Sequence, residues 1–189
     1  MKKIIFTILL CLIMSLSAFG QENYAKLVDS LRYVTEVPYL FNCDDTVFWK
    51  IVCKGKSIVP DLINKMTDTL TLKEVYVPFF SGEYTVADVA YSAIREIIID
   101  IPTFKLLGIR FNKVCGYCSY WEYVRESKKN REKFQKAVRK WYEKNKDNLK
   151  WVDEPFAVTD ICTSPAGGHY YFKTAYTEYA ISFMICIYI

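Results

Sequence analysis

The stretch that decides the fold is DTVFWKIVCKGKSIVPDLINKMTD, residues 45–68. Asp45 is a favourable N-cap, and the apolar residues that follow it recur at helical spacing. Gly55 then stands where a helix commonly ends in a left-handed turn. Ser57 can cap a second helix, with Pro60 in its first turn, where the missing N–H is not needed. The segment therefore predicts two short antiparallel helices joined by a tight turn.

A second segment, TVADVAYSAIREII at residues 85–98, predicts a third helix. Thr85 and Asp88 have the spacing of a capping box. One side of this helix is apolar and is expected to face the core, through Val86, Val89, Ala90, Ala93, Ile94 and Ile97. The other side is polar and is expected to face solvent, through Asp88, Ser92, Arg95 and Glu96.

These residues carry a resemblance to known proteins. Phe48–Met66 and Val86–Ile98 together are similar to a HEAT-like α-helical repeat. The runs FWxIVxxGxxIVPxLIxKxTD, residues 48–68, and VADVAY, residues 86–91, also resemble small exported bacterial proteins of unknown function. The resemblance implies antiparallel helix packing and an exported location, and it implies no activity.

The N-terminus has the pattern of a secretory signal peptide. Lys2 and Lys3 precede an apolar run, Ile4–Met14, and Ala18 and Gly20 are small residues at the two positions that a signal peptidase recognises. The run is shorter than the ~20 apolar residues that a membrane span needs. We expect residues 1–20 to be removed and the protein to be periplasmic or extracellular, without a transmembrane span after cleavage.

The remaining chain predicts a mainly α fold, a small helical bundle with HEAT-like antiparallel helix pairs and a short extended C-terminal segment. Residues 21–150 are expected to form the helical domain, and residues 151–189 to pack on it. Further helices are predicted at Tyr24–Val37, from Ser119, and from Asn130 to Asn145. Strands are predicted at His169–Lys173 and Tyr179–Ile189.

The helix predicted to end at Asn145 is strongly basic. Its apolar stripe is expected to face the core, while its other faces carry Lys128, Lys129, Arg131, Lys133, Lys136, Arg139, Lys140 and Lys144. Such a face is either solvated or binds an acidic surface or polymer, and the interspersed Glu132 and Glu143 favour the solvated alternative. The chain's net charge of +4 falls to +2 without Lys2 and Lys3, so charge gives no argument for nucleic acid.

Six cysteines follow the predicted signal peptide: Cys43, Cys53, Cys115, Cys118, Cys162 and Cys186. An even number in an exported chain permits disulfides, and six cysteines allow fifteen connectivities. A bond between Cys43 and Cys53 is one that such a connectivity could contain. Cys115 and Cys118 form a CxxC pair before a predicted helix, the spacing of thiol–disulfide oxidoreductases. Cys115, Cys118, Cys162 and His169 alternatively have the composition of a Cys3His zinc site.

The sequence carries no phosphate-binding glycine loop and no nucleophile elbow. We therefore expect a monomeric, non-catalytic binding module without a cofactor, whose partner is a protein or a surface polymer. The alternative is a thiol–disulfide redox protein or a structural zinc protein that uses Cys115 and Cys118.

Overall fold

The computed structural model describes residues 24–38, 43–75, 83–111, 118–154 and 162–172. Within these ranges 59% of the residues are helical, so the chain is mainly α, as predicted. The helices are α1 Ala25–Asp29, α2 Thr46–Val52, α3 Val59–Lys65, α4 Val86–Ile97, α5 Thr103–Leu107, α6 Cys118–Glu126 and α7 Lys128–Asn145. No helix among the described residues is both long enough and apolar enough to cross a bilayer.

Two short antiparallel ribbons accompany the helices. Strand β1, Thr71–Leu72, pairs with β2, Tyr84–Thr85, directly before α4. Strand β3, Leu149–Val152, pairs with β4, His169–Phe172, after α7. The backbone N–H of Ile99 donates to the carbonyl of Tyr170, so β4 is also fixed to the end of α4. The predicted strand at His169 is confirmed, and the strand predicted at Tyr179–Ile189 lies outside the described residues.

Helix α4 lies at the centre of the structure. It packs against α2, α3, β4 and the 3-10 turn that follows α1. The expected polar face is therefore not a solvent face: Asp88 is 0% exposed and Glu96 only 1%. The prediction was wrong for these two residues because neighbouring elements cover them, which periodicity within one helix does not reveal. Ser92 and Arg95 of the same face stay partly exposed.

The two helices before α4 show some of the predicted local features. Asp45 caps α2, its Oδ1 accepting from the backbone N–H of Phe48 at 2.7 Å. Gly55 has φ +62°, the expected left-handed conformation. Ser57 is not a cap, because it lies within a 3-10 turn, Gly55–Ile58, and its hydroxyl donates to the carbonyl of Lys54. Each helix packs mainly against α4 and not against the other, so the predicted pairing of the two helices was wrong: the central helix takes up their apolar faces.

Substituting Gly55 tests the turn between α2 and α3. We expect Gly55→Ala to lower the free energy of unfolding by about 1–2 kcal/mol from the left-handed backbone alone. An added Cβ would also lie 3.3 Å from the ring of Tyr170, which increases the loss. Urea unfolding followed by circular dichroism measures it.

Gly108→Ala is the matched control for that substitution. Gly108 has φ +73° and ends α5, but a Cβ there meets nothing within 4 Å. It should show the backbone cost without the ring contact. If Gly55→Ala were no more destabilising than Gly108→Ala, the contact with Tyr170 would contribute nothing.

Three helix boundaries differ from the predictions. The first helix ends early, since α1 passes into a 3-10 turn, Ser30–Tyr33, and then into extended chain. Helix α6 begins at Cys118, one residue before the predicted start. Ser127, not Asn130, caps α7, because its hydroxyl accepts from the backbone N–H of Asn130. The capping signal was present, but it was assigned three residues too late.

A disulfide joins distant parts of the chain. Cys43 is bonded to Cys162, with a Cα–Cα distance of 5.5 Å and a sequence separation of 119. Cys53 is a free, exposed thiol, so the Cys43–Cys53 pairing does not form. The bond fixes the connection before α2 to the segment that leads into β4.

Candidate functional site

A cleft of about 490 Å³ opens between the β1–β2 ribbon and the junction of α6 with α7. This volume lies within the range of small-molecule sites. Most of its lining residues carry hydroxyl or charged groups: Thr67, Thr69, Thr71, Glu83, Thr85, Val124, Arg125, Ser127, Lys128 and Arg131. The cleft is therefore suited to a polar ligand.

A buried ion pair adjoins the cleft through Arg131, which is one of the lining residues. Arg131 of α7 is 5% exposed, and its Nη1 donates to Oδ1 of Asp88 at 2.8 Å. The other Asp88 oxygen accepts from the backbone N–H of Thr85 at 3.0 Å and from its hydroxyl at 2.7 Å. Asp88 thus closes the predicted capping box of α4 and holds the guanidinium at the same time.

Aromatic side chains surround this ion pair. The ring of Phe134 packs edge-on against Tyr91 and Tyr120, and the two tyrosine rings stack with centroids 5.3 Å apart. Burial raises the pKa of Tyr120 well above its usual value, and the charge of Asp88 raises it further. Burial likewise raises the pKa of Tyr84. Both phenols are therefore neutral at physiological pH, and the ion pair lies in surroundings of low polarity.

Much of the hydrogen-bonding capacity around the cleft is unused by the described part of the chain. The guanidinium of Arg131 carries five N–H donors, and beyond the bond to Asp88 it makes no hydrogen bond to the described residues. The hydroxyls of Thr67, Thr69 and Thr71 also make none there. A ligand in the cleft would meet one oriented guanidinium and a row of hydroxyl groups.

The charged groups at the rim are mainly positive. Arg125 donates a hydrogen bond to the backbone carbonyl of Glu83 across the cleft. Lys128 is exposed, and its Nζ lies 3.9 Å from Oε1 of Glu132, a residue that does not line the cleft. Glu83 is the one carboxylate among the described lining residues, so no pair of acid and base is assembled there. The positive groups of the lining are suited to an anionic ligand.

The three cysteine and histidine candidates that the structure describes, Cys118, Cys162 and His169, do not line this cleft. Cys162 is bonded to Cys43, and Cys118 is also disulfide-bonded. Cys115 lies outside the described residues. His169 is fully buried, with its Nδ1 2.6 Å from the backbone carbonyl of Glu96.

This arrangement gives no support to the Cys3His zinc alternative. Zinc binds thiolates, and the sulfurs of Cys118 and Cys162 are held in disulfides. Among the described residues no group of three or more His, Cys, Asp and Glu is arranged to hold a metal ion. Burial raises the pKa of the free Cys53 thiol, so the fraction of this side chain present as thiolate at neutral pH is lowered.

Sequence reasoning missed both residues of the buried ion pair, Asp88 and Arg131. Asp88 was interpreted as a solvent-facing cap, and Arg131 as one member of a basic face. A signal for Arg131 was present, because it lies three residues before Phe134 and seven before Val138, in register with the buried stripe of α7. An arginine in a buried stripe needs an acidic partner, and the pattern alone did not identify Asp88.

Comparisons of the chain with models of protein families, with curated proteins and with solved structures gave no match.

Proposed function

We propose that this chain is an exported, non-catalytic binding module whose cleft holds a small hydroxylated carboxylate, such as a uronic acid. The observation that carries the proposal is Arg131, a buried guanidinium oriented by Asp88 and lining the cleft. Guanidinium groups bind carboxylates through paired hydrogen bonds of fixed geometry. The threonine hydroxyls supply partners for the hydroxyl groups of such a ligand.

Two further features support an acidic ligand over a neutral one. Arg125 and Lys128 add positive charge at the rim, against the single carboxylate of Glu83. The cleft also lacks aromatic side chains among its described lining residues, so the ligand would be held by polar contacts. The export prediction from residues 1–20 adds the location: the ligand is expected outside the cytoplasm.

Removing one rim charge tests the proposal. We expect Lys128→Gln to weaken the binding of D-glucuronate by about threefold, as removal of an exposed charge contact typically does. Isothermal titration calorimetry measures this at low salt, with D-glucose as the neutral counterpart. Thr69→Val, which removes a cleft hydroxyl at nearly constant shape, should also weaken it.

Lys129→Gln is the matched control, since Lys129 is the next residue of α7 and does not line the cleft. It should leave glucuronate affinity unchanged. Equal binding of glucose and glucuronate, or equal effects of the two lysine substitutions, would contradict the proposal.

A second candidate function is thiol–disulfide exchange through Cys115 and Cys118. The observation that favours it is that Cys118 is disulfide-bonded and is the first residue of α6. Helix N-termini stabilise a thiolate. Reduction of insulin by dithiothreitol that the purified protein accelerates, with the acceleration abolished by Cys118→Ser, would support redox catalysis in place of binding.

A further inference from the structure

Helix α7 carries a straight row of exposed lysines, which we call the lysine row: Lys129, Lys133, Lys136, Lys140 and Lys144. Their spacings of three and four residues place all five on one side of the helix. The row is about 22 Å long, with successive lysines about 4.5–6 Å apart along the axis. It is separate from the cleft, whose lysine is Lys128.

The two glutamates of this helix form no ion pair with the row. Glu132 lies beside Lys128 at 3.9 Å, and Glu143 lies beside Lys146 at 2.6 Å; neither lysine belongs to the row. Within the described chain no carboxylate forms an ion pair with a lysine of the row. These two glutamates favoured a merely solvated face in the sequence, but both form ion pairs with lysines outside the row.

The charge of the protein is concentrated on this helix. Six lysines and two arginines against two glutamates give α7 a net charge of +6, whereas the entire chain carries +4. The remainder of the chain therefore has a net negative charge of two. Such an asymmetry favours one orientation toward a polyanion and accelerates the encounter.

We infer that the lysine row is a docking surface for an acidic polysaccharide, a linear chain with one carboxylate on each sugar unit. A single file of evenly spaced cations on a rigid helix matches a linear chain of evenly spaced anions. This inference goes beyond the cleft, because it concerns a different face and a polymer instead of a small ligand.

The surroundings of the row favour a polysaccharide over the other common polyanions. Helices that bind membrane surfaces insert an apolar face, but the apolar residues of α7 are turned into the core, with Phe134, Val138 and Tyr142 all buried. Proteins that bind single-stranded nucleic acid stack bases on exposed aromatic rings. The exposed large apolar side chains of the described chain are Tyr33, Leu70, Phe111 and Trp151, none on α7.

The experiment compares three polyanions under identical buffer conditions. Binding of polygalacturonate, a single-stranded DNA oligonucleotide and vesicles containing one-fifth phosphatidylglycerol is measured by biolayer interferometry over a range of salt concentrations. We expect saturable binding of polygalacturonate that weakens steeply with salt. Lys136→Gln combined with Lys140→Gln should weaken it by about tenfold or more and flatten the salt dependence.

Lys26→Gln combined with Lys50→Gln is the control of equal charge, since both residues are exposed and lie outside the row. This control should retain at least half of the affinity, and thermal melting of both double variants checks folding. The inference is overturned if polygalacturonate does not bind, if the two double variants weaken it equally, or if DNA or vesicles bind as tightly. Lys128→Gln changes the cleft and leaves the lysine row intact. A loss of glucuronate binding at the cleft can therefore be distinguished from a loss of polygalacturonate binding at the row.

Discussion

Arg131→Met is expected to lower the free energy of unfolding by about 3–5 kcal/mol, the usual cost of leaving a buried charge without its partner. Asp88 is 0% exposed, so without the guanidinium its carboxylate would stay buried, with hydrogen bonds from Thr85 alone among the described residues. Methionine keeps much of the side chain's volume, which limits the contribution of a cavity. Urea unfolding followed by circular dichroism measures the change.

Two variants separate the charge from other effects. Arg139→Met removes another arginine of α7, one that donates to the side-chain carbonyl of Asn64 at an exposed position, and should cost less than about 1 kcal/mol. Adding Asp88→Asn to Arg131→Met removes the stranded charge and should recover part of the loss. A double variant less stable than Arg131→Met would contradict the ion-pair account.

Cys43→Ala combined with Cys162→Ala is expected to lower the free energy of unfolding by about 2–5 kcal/mol. The bond closes a loop with a sequence separation of 119 residues, so it strongly restricts the unfolded chain. The bond also holds the segment before β4. Strand β4 itself is fixed to the rest of the structure through β3 and through the end of α4. Chemical denaturation of the oxidised protein and of the double variant measures the difference.

Cys53→Ala is the control for the disulfide variant. Cys53 is free and exposed, so its removal should change the stability by less than about 0.5 kcal/mol. Non-reducing mass spectrometry of a tryptic digest should show Cys43 linked to Cys162. Linkage of Cys43 to Cys53, or a double variant as stable as the parent, would contradict the described connectivity.

Local signals predicted local structure well. Asp45 as the cap of α2, Gly55 as a left-handed turn, and Thr85 with Asp88 as a capping box are all present. Each of these depends on a few neighbouring residues whose steric and hydrogen-bonding preferences are nearly independent of the rest of the chain. The mainly α class followed from the apolar periodicity of the same segments.

The cleft was not predictable in the same way. It is formed where the β1–β2 ribbon meets two helices that begin more than thirty residues later in the chain. Pairing of Asp88 with Arg131 depends on how α4 and α7 pack, and periodicity gives only which side of each helix is buried. The Cys43–Cys162 disulfide was not predictable either. The spacing of cysteines in the sequence suggests bonds between near neighbours, whereas the observed bond joins remote segments.

Other expectations stay predictions. The resemblance to HEAT-like repeats is compatible with α2 and α3 packing on α4, but it has no support from a matched family or structure. The predicted signal peptide lies outside the described residues, and export stays a proposal. N-terminal sequencing of protein secreted by its own cells would show whether the chain begins at Gln21.

The binding of a small carboxylate in the cleft is tested most directly by nuclear magnetic resonance. D-glucuronate is titrated into ¹⁵N-labelled protein, and the backbone amide shifts are followed residue by residue. The account predicts saturable shifts that concentrate at Thr69, Thr71, Ser127 and Lys128, with no comparable response to D-glucose. Shifts that fail to saturate, or that concentrate on residues remote from Arg131, would contradict it.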